Sequence, residues 1–175
     1  MRRRPGRGGG LRTTSRVDRL SERFDSALEG KSVDSRKLEY DIAIAATPQR
    51  IWAALTSVEF WRQFSGPVES DWKPGSFVNY FLPNGSLYST GVVLKSEYPC
   101  LLSHTWPDPE GEQSAEHAQR LTWRIEQCGA VAAKLIFIHE KMTEKAYQGV
   151  RESWPIILAN LKNPLEIERV ISGHE

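Results

Sequence analysis

The chain has 175 residues, 39% hydrophobic and 26% charged, a one-domain length and an ordinary globular mix that excludes a disordered or fibrous polymer. No apolar run approaches the roughly 20 residues that a bilayer span needs, so no membrane-spanning helix is expected. The net charge of +1 conceals an asymmetry: Arg2, Arg3, Arg4, Arg7, Arg12 and Arg16 crowd the first 17 residues without an acid, leaving 17 basic against 22 acidic residues, a net of −5, for the rest. A mildly acidic body does not suit a nucleic-acid groove, which needs a clustered basic face.

Residues 1–37 form a leader before the domain. Residues 1–16, with only Met1 and Leu11 as large apolar side chains, cannot bury an apolar surface and are expected to be disordered. They are Arg-rich and acid-poor like a transit peptide, but Pro5-Gly6-Arg7-Gly8-Gly9-Gly10 is not amphipathic, and the apolar core of a secretory signal is missing. An RNA-binding Arg-Gly tail would be short and lacks aromatics, so a leader without a role of its own is preferred. Val17, Leu20, Phe24, Ala27 and Leu28 fall at helical spacing and predict an amphipathic helix over 17–29, capped by Thr14 or Ser15, to dock on the domain or on a partner. Gly30-Lys31-Ser32 resembles the end of a phosphate loop, but Asp25 stands where that motif requires glycine.

The domain is expected over 38–170. Lys37–Ala45 alternates as a first strand. Thr47 caps a short helix with Pro48 in its first turn, and Thr56 or Ser57 starts a second with Phe60, Trp61 and Phe64 on its apolar side. Val68–Trp72 and Ser76–Phe81 read as strands, with Val78 and Tyr80 facing one way and Asn79 the other. Pro83-Asn84-Gly85-Ser86 is a hairpin turn, since Asn-Gly accepts positive φ. Leu87–Ser96 and Leu101–Trp106 follow as strands, then a polar acidic loop over 107–118. Arg120–Gln127 directs Leu121, Trp123 and Ile125 inward. Val131–His139 directs Ala133, Leu135 and Phe137 inward, which leaves Ile136 and Ile138 on the outer face. Such a pair marks either a homodimer contact or a surface covered by the 17–29 helix. From Thr143 the period turns helical through Lys162, with Trp154, Ile157, Leu158, Leu161 and Leu165 on one face, a kink at Pro155 and an end or second bend at Pro164. The fold is therefore α+β: a curved antiparallel sheet of about seven strands around a long C-terminal helix, with two short helices after the first strand.

In order along 38–167 stand Ile44-Ala45-Ala46-Thr47-Pro48 through Trp52-Ala53-Ala54-Leu55-Thr56, Glu69-Ser70-Asp71-Trp72-Lys73-Pro74-Gly75-Ser76, Gly91-Val92-Val93-Leu94, Leu102-Ser103-His104-Thr105-Trp106, Ile138-His139-Glu140, and Trp154-Pro155-Ile156-Ile157-Leu158-Ala159-Asn160-Leu161-Lys162 with Leu165-Glu166. This ordered set resembles the SRPBCC superfamily, with its START-like helix-grip fold, and within it the activator of heat-shock protein 90 ATPase homologue-like family. Ser153 departs from the glycine that the family has before its late tryptophan, and Ile136 and Ile138 replace polar outer positions. The resemblance implies a hydrophobic cavity; a chaperone role does not follow from it, because fold does not fix function.

No nucleophile elbow, zinc-helix motif, dinucleotide fingerprint or paired-cysteine site is present. Cys100 and Cys128, at strand ends, read as reduced, partly buried thiols in a cytoplasmic protein. None of His104, His117, His139 and His174 has a partner at ligand spacing, so neither metal nor cofactor is expected. His104 shares a side with Trp106 and is the candidate general base, set against the plainer reading of a hydrogen-bonded core histidine; His139 is expected to bond locally where the last strand ends. The aromatic wealth, six Trp, five Tyr and six Phe, suits an apolar small-molecule site as well as a filled core. The candidate lining is Phe60, Phe64, Tyr80, His104, Trp106, Trp123, Phe137, Trp154 and Leu158. A non-catalytic carrier of a small hydrophobic molecule is the leading reading. The alternatives are a polyketide cyclase, aromatase or hydrolase using the same cavity, and a chaperone-interacting module.

Overall fold

The computed structural model describes residues 35–63, 66–106 and 118–172, with side chains to Ile167, within a unit that runs from Asp34 to Glu175. Residues 1–34 of the expected leader with its 17–29 helix, Phe64, His117, His174 and nearly all of the acidic loop lie outside the described residues.

Seven strands form one antiparallel sheet in the order β1-β7-β6-β5-β4-β3-β2. They are β1 Arg36–Ile44, β2 Val68–Glu69, β3 Phe77–Phe81, β4 Leu87–Glu97, β5 Leu101–Trp106, β6 Gln119–Gly129 and β7 Ala132–Met142. Every strand from β2 to β7 pairs with its sequence neighbour, and β1 closes the other edge against β7. The helices are α1 Pro48–Leu55, α2 Val58–Arg62, α3 Glu144–Val150 and α4 Ser153–Ser172. Thr47 caps α1 by accepting from the Arg50 N–H, and Ser57 caps α2 by accepting from the Phe60 N–H, so each hydroxyl satisfies one orphan donor. The Trp61 indole then donates to the Leu55 carbonyl at 2.9 Å and locks α2 onto the end of α1.

Alternation decides which face is buried. Val78 and Tyr80 on β3, Leu121, Trp123 and Ile125 on β6, and Ala133, Leu135 and Phe137 on β7 all point inward, as their spacing predicts. Trp154, Leu158, Leu161 and Leu165 of α4 close the core.

Three expectations change. The helix from Thr143 is two helices. Proline at 155 has no N–H for the Arg151 carbonyl four residues back, and that carbonyl instead accepts the Tyr40 hydroxyl at 3.1 Å. The chain breaks at Arg151-Glu152, so Pro155 sits in the first turn of α4 rather than kinking it, while Pro164 is accommodated inside α4. The strand expected over Val68–Trp72 ends at Glu69, because Trp72 adopts φ +56° and turns its indole into the core. Such a conformation costs a bulky residue about 1–3 kcal/mol, offset here by burial and by an indole hydrogen bond to the Thr56 carbonyl at 3.1 Å. Cys100 and Cys128 are exposed rather than partly buried, since both lie at the turn ends of strands.

Gly91 lies where β4 passes close beneath β5. A Cβ there would stand 2.6 Å from Thr105 Oγ1 and 2.7 Å from its carbonyl oxygen. Gly91→Ala is expected to lower stability by about 1–3 kcal/mol in urea titration, the usual cost of overpacking a tight core; an unchanged midpoint would show that the two strands can separate freely.

Candidate functional site

The site is built by the middle of the sheet. Antiparallel register sets His104 opposite Leu121, Leu102 opposite Trp123, Trp123 opposite Phe137 and Leu121 opposite His139, so inward side chains of β5, β6 and β7 form adjoining rows. Trp123 and Phe137 stack with centroids 4.4 Å apart, and Trp154 of α4 lies 4.2 Å from Phe137. Trp106, half-buried at the end of β5, touches Tyr80 at 5.3 Å and Trp61 and Trp154 at 6.0 Å. Phe60 joins through Trp61 at 5.1 Å, and Leu158 is buried in the same core. The structure thus gathers Phe60, Tyr80, His104, Trp106, Trp123, Phe137, Trp154 and Leu158 into one core, which also takes in Trp61 and Trp72.

His104 and His139 are fully buried among these rings. An indole N–H can only donate, and this fixes the proton on each imidazole. Trp123 Nε1 donates to His104 Nε2 at 3.4 Å, so the His104 proton resides on Nδ1 and goes to the Tyr80 hydroxyl at 2.8 Å. That hydroxyl donates in turn to the Thr105 carbonyl at 2.6 Å. In the second set, Trp154 Nε1 donates to His139 Nδ1 at 3.0 Å, and His139 Nε2–H donates to Gln119 Oε1 at 2.8 Å. The two imidazoles carry their protons on opposite nitrogens, and both nitrogens of each are engaged.

Burial lowers the pKa of His104 to about 4, partly opposed by the Thr105 carbonyl. Burial, and then repulsion from charge on His104, lowers that of His139 to about 3. Burial also raises the Tyr80 phenol well above its usual value. All three are therefore neutral near pH 7.

Contrary to expectation, His139 does not end the last strand, and its bonds reach β6 and α4 rather than the strand-to-helix connection. β7 continues to Met142, and alternation with Phe137 carries His139 inward. That alternation was the available signal. Gln119 gave none, because it adjoins the polar loop, and Trp72 enters only through its left-handed backbone. Among the described residues no group of three His, Cys, Asp or Glu side chains is placed to hold a metal ion. A shallow open groove of about 640 Å³ lies at the β2–β3 edge, lined by Glu69, Asp71, Ser76 and Phe77 among others; it is polar and separate from the ring core.

A curved antiparallel sheet clasping a C-terminal helix defines the helix-grip class, a fold of ligand-binding type. The chain belongs to the family described as Activator of Hsp90 ATPase homolog 1-like protein, matched over residues 45–166. Its structure resembles that of protein MLL2253 from Mesorhizobium loti, with TM-score 0.62 and 19% identity over 77% of this chain and 98% of that one. The Aha1 dimer from Colwellia psychrerythraea gives TM-score 0.61 and 20% identity over 75% and 97%. CalU16 from Micromonospora echinospora gives 0.57 and 18% over 73% of each chain. At these identities the likeness shows the fold alone. No curated protein matches the chain by sequence. Among the described residues no helix is long and apolar enough to cross a membrane.

The lowered histidine pKa values make stability depend on pH with a definite sign. Above the ordinary value of 6.5, folded and unfolded chains both hold neutral imidazoles. Below it the unfolded chain takes up protons that the folded core excludes, until about pH 4 for His104 and about pH 3 for His139. Urea unfolding at stepped pH should therefore lose about 1.4 kcal/mol per pH unit for each histidine inside its window. His104→Phe should flatten the upper part of that slope, and a pH-independent midpoint between 6.5 and 4 would contradict buried neutral imidazoles.

Proposed function

We propose that this domain binds a small, largely apolar molecule and does not transform it. The observation that carries the reading is the saturation of His104: Tyr80 and Trp123 occupy both of its nitrogens, so no free base faces a substrate. What the core offers a ligand is ring surface. Trp106 is its half-buried edge, and Tyr80, Trp61 and Trp154 stand directly behind it. The ligand seat is bounded by Phe60, Tyr80, His104, Trp106, Trp123, Phe137, Trp154 and Leu158, with Trp106 as the side chain it meets first. Apolar walls with few polar anchors are the usual form of a small-molecule site. The exposed, unpaired Cys100 and Cys128 suit a reducing compartment, and we place the protein in the cytoplasm.

Native mass spectrometry of gently purified protein should show an added small-molecule mass. The same mass should disappear from Trp106→Ala, while near-ultraviolet circular dichroism stays native in shape. A clean apo mass, with no quenching of tryptophan emission by any of a panel of apolar compounds, would refute the reading.

A second copy of the chain is the proposed protein partner. Ile136 and Ile138 are half-buried on the outer face of β7. Glu39 and Asp41 of β1 flank them on one side and Arg124 of β6 on the other. A two-fold axis along β7 would set the acids of one copy over the arginine of the other, as an isologous contact requires. The Colwellia relative is described as a dimer. Light scattering should give a dimer mass for the native chain and a monomer mass for the Ile136→Lys, Ile138→Lys double variant; a monomer for both excludes this contact.

A further inference from the structure

We infer that the Trp154–His139 hydrogen bond is an acid-released latch, which lets the first turns of α4 lift from the sheet while the strands stay paired. Its relevance to ligand release rests on the reading that the apolar molecule sits beneath α4; the latch itself is a property of the protein alone.

Trp154 is the second residue of α4 and its innermost anchor, with its ring on Phe137 and its N–H on His139 Nδ1. This acceptor exists only while the imidazole is neutral. The other nitrogen of His139 already donates to Gln119, so an added proton must go to Nδ1. Two N–H groups would then face each other across 3.0 Å in a site without water contact. The pair cannot be rescued by exchanging tautomers, because an imidazolium has no lone pair on either nitrogen.

Among the described residues, the surroundings offer the new charge no partner. His139 is faced by Trp106 and His104 from β5, by Gln119 and Leu121 from β6, by Leu38 from β1 and by Trp154 from α4. Of these only His104 titrates, and charge there opposes charge at His139. Tyr147 is the ionisable side chain that α3 packs against the core, while Glu144 of α3 is engaged with Arg36 at the surface. Glu140 and Arg120 pair on the opposite face of the sheet.

The geometry of α4 makes the release local. Its N-terminal end follows the break at Arg151-Glu152, a ready hinge. Its distal half is held separately, by Leu161 and Leu165 in the core and by Glu166 Oε1, which accepts the Ala45 N–H at 2.9 Å. The ladders of β5, β6 and β7 do not pass through α4, so they survive its opening.

The test uses the full chain, nitrogen-15 labelled and without ligand, titrated from about pH 7.5 to the acid end of the folded range. The Trp154 indole N–H signal should leave its hydrogen-bonded position, and the first two turns of α4 should lose exchange protection, while β6 and β7 amides remain protected. His139→Asn places a non-titrating carboxamide oxygen near the position of Nδ1, and there the Trp154 signal should hold over the same range. If Trp154 and the β6–β7 amides change together at one midpoint, the event is whole-domain unfolding and the latch is wrong. If Trp154 titrates identically in His139→Asn, the latch is also wrong. Should that variant fail to fold, the imidazole nitrogen-15 signals of the native chain decide: release of Trp154 while His139 is still neutral overturns the proposal. No ligand enters these measurements, so failure to find one leaves the latch standing, and failure of the latch leaves ligand binding untouched.

Discussion

Two indole N–H groups in a dry core of rings must each be given an acceptor, and much of the interior follows from how that demand is met. Leaving one unpaired would cost about 1–3 kcal/mol. Trp61 and Trp72 meet the same demand with backbone carbonyls, at Leu55 and Thr56, where helix ends leave oxygens free. Trp123 and Trp154 stand over paired strands, whose carbonyls point along the sheet toward neighbouring strands rather than up at the indoles. Their acceptors are therefore side chains, and imidazole supplies a flat ring that stacks with its neighbours and carries one lone pair. The choice sets the proton position on both histidines, forces them neutral and ties α4 to the sheet by a directional bond as well as by burial.

This bears on chemistry. A histidine beside an apolar space invites the reading of a catalytic base, and His104 sits among the expected rings. Yet a base needs a free lone pair, and the one on His104 Nε2 accepts from Trp123. Each imidazole acts as a polar joint between aromatic plates, with Thr105 and Gln119 as the terminal acceptors.

The sheet and the inward rows were readable from alternation alone, because a period of two leaves no freedom about which side chains share a face. His104 and Trp106 fall on one side for that reason. The caps at Thr47 and Ser57 and the hairpin at Asn84-Gly85 were readable from local chemistry. What was not readable depended on contacts distant in sequence. The break between α3 and α4 turns on a carbonyl that Pro155 leaves free and Tyr40, 111 residues earlier, then takes up. The left-handed turn at Trp72 is favourable only because Thr56 and His104 wait for its indole. Alternation with Phe137 turns His139 inward but names no partner, and its bond to Trp154 joins β7 to α4, a contact that local pattern does not carry.

The matched protons also constrain how such a core can drift. His104 with Trp123, and His139 with Trp154, behave as two-letter words in which each letter has meaning only beside the other. Exchanging an indole for phenyl strands a lone pair; exchanging an imidazole for an alkyl group strands an N–H. Descendants of this chain can reach a wholly hydrocarbon interior only by changing both members of a word together, or by crossing a less stable intermediate. Aromatic positions that neighbour these words without belonging to one, such as Phe137, strand no polar group when they change singly and are limited by packing alone.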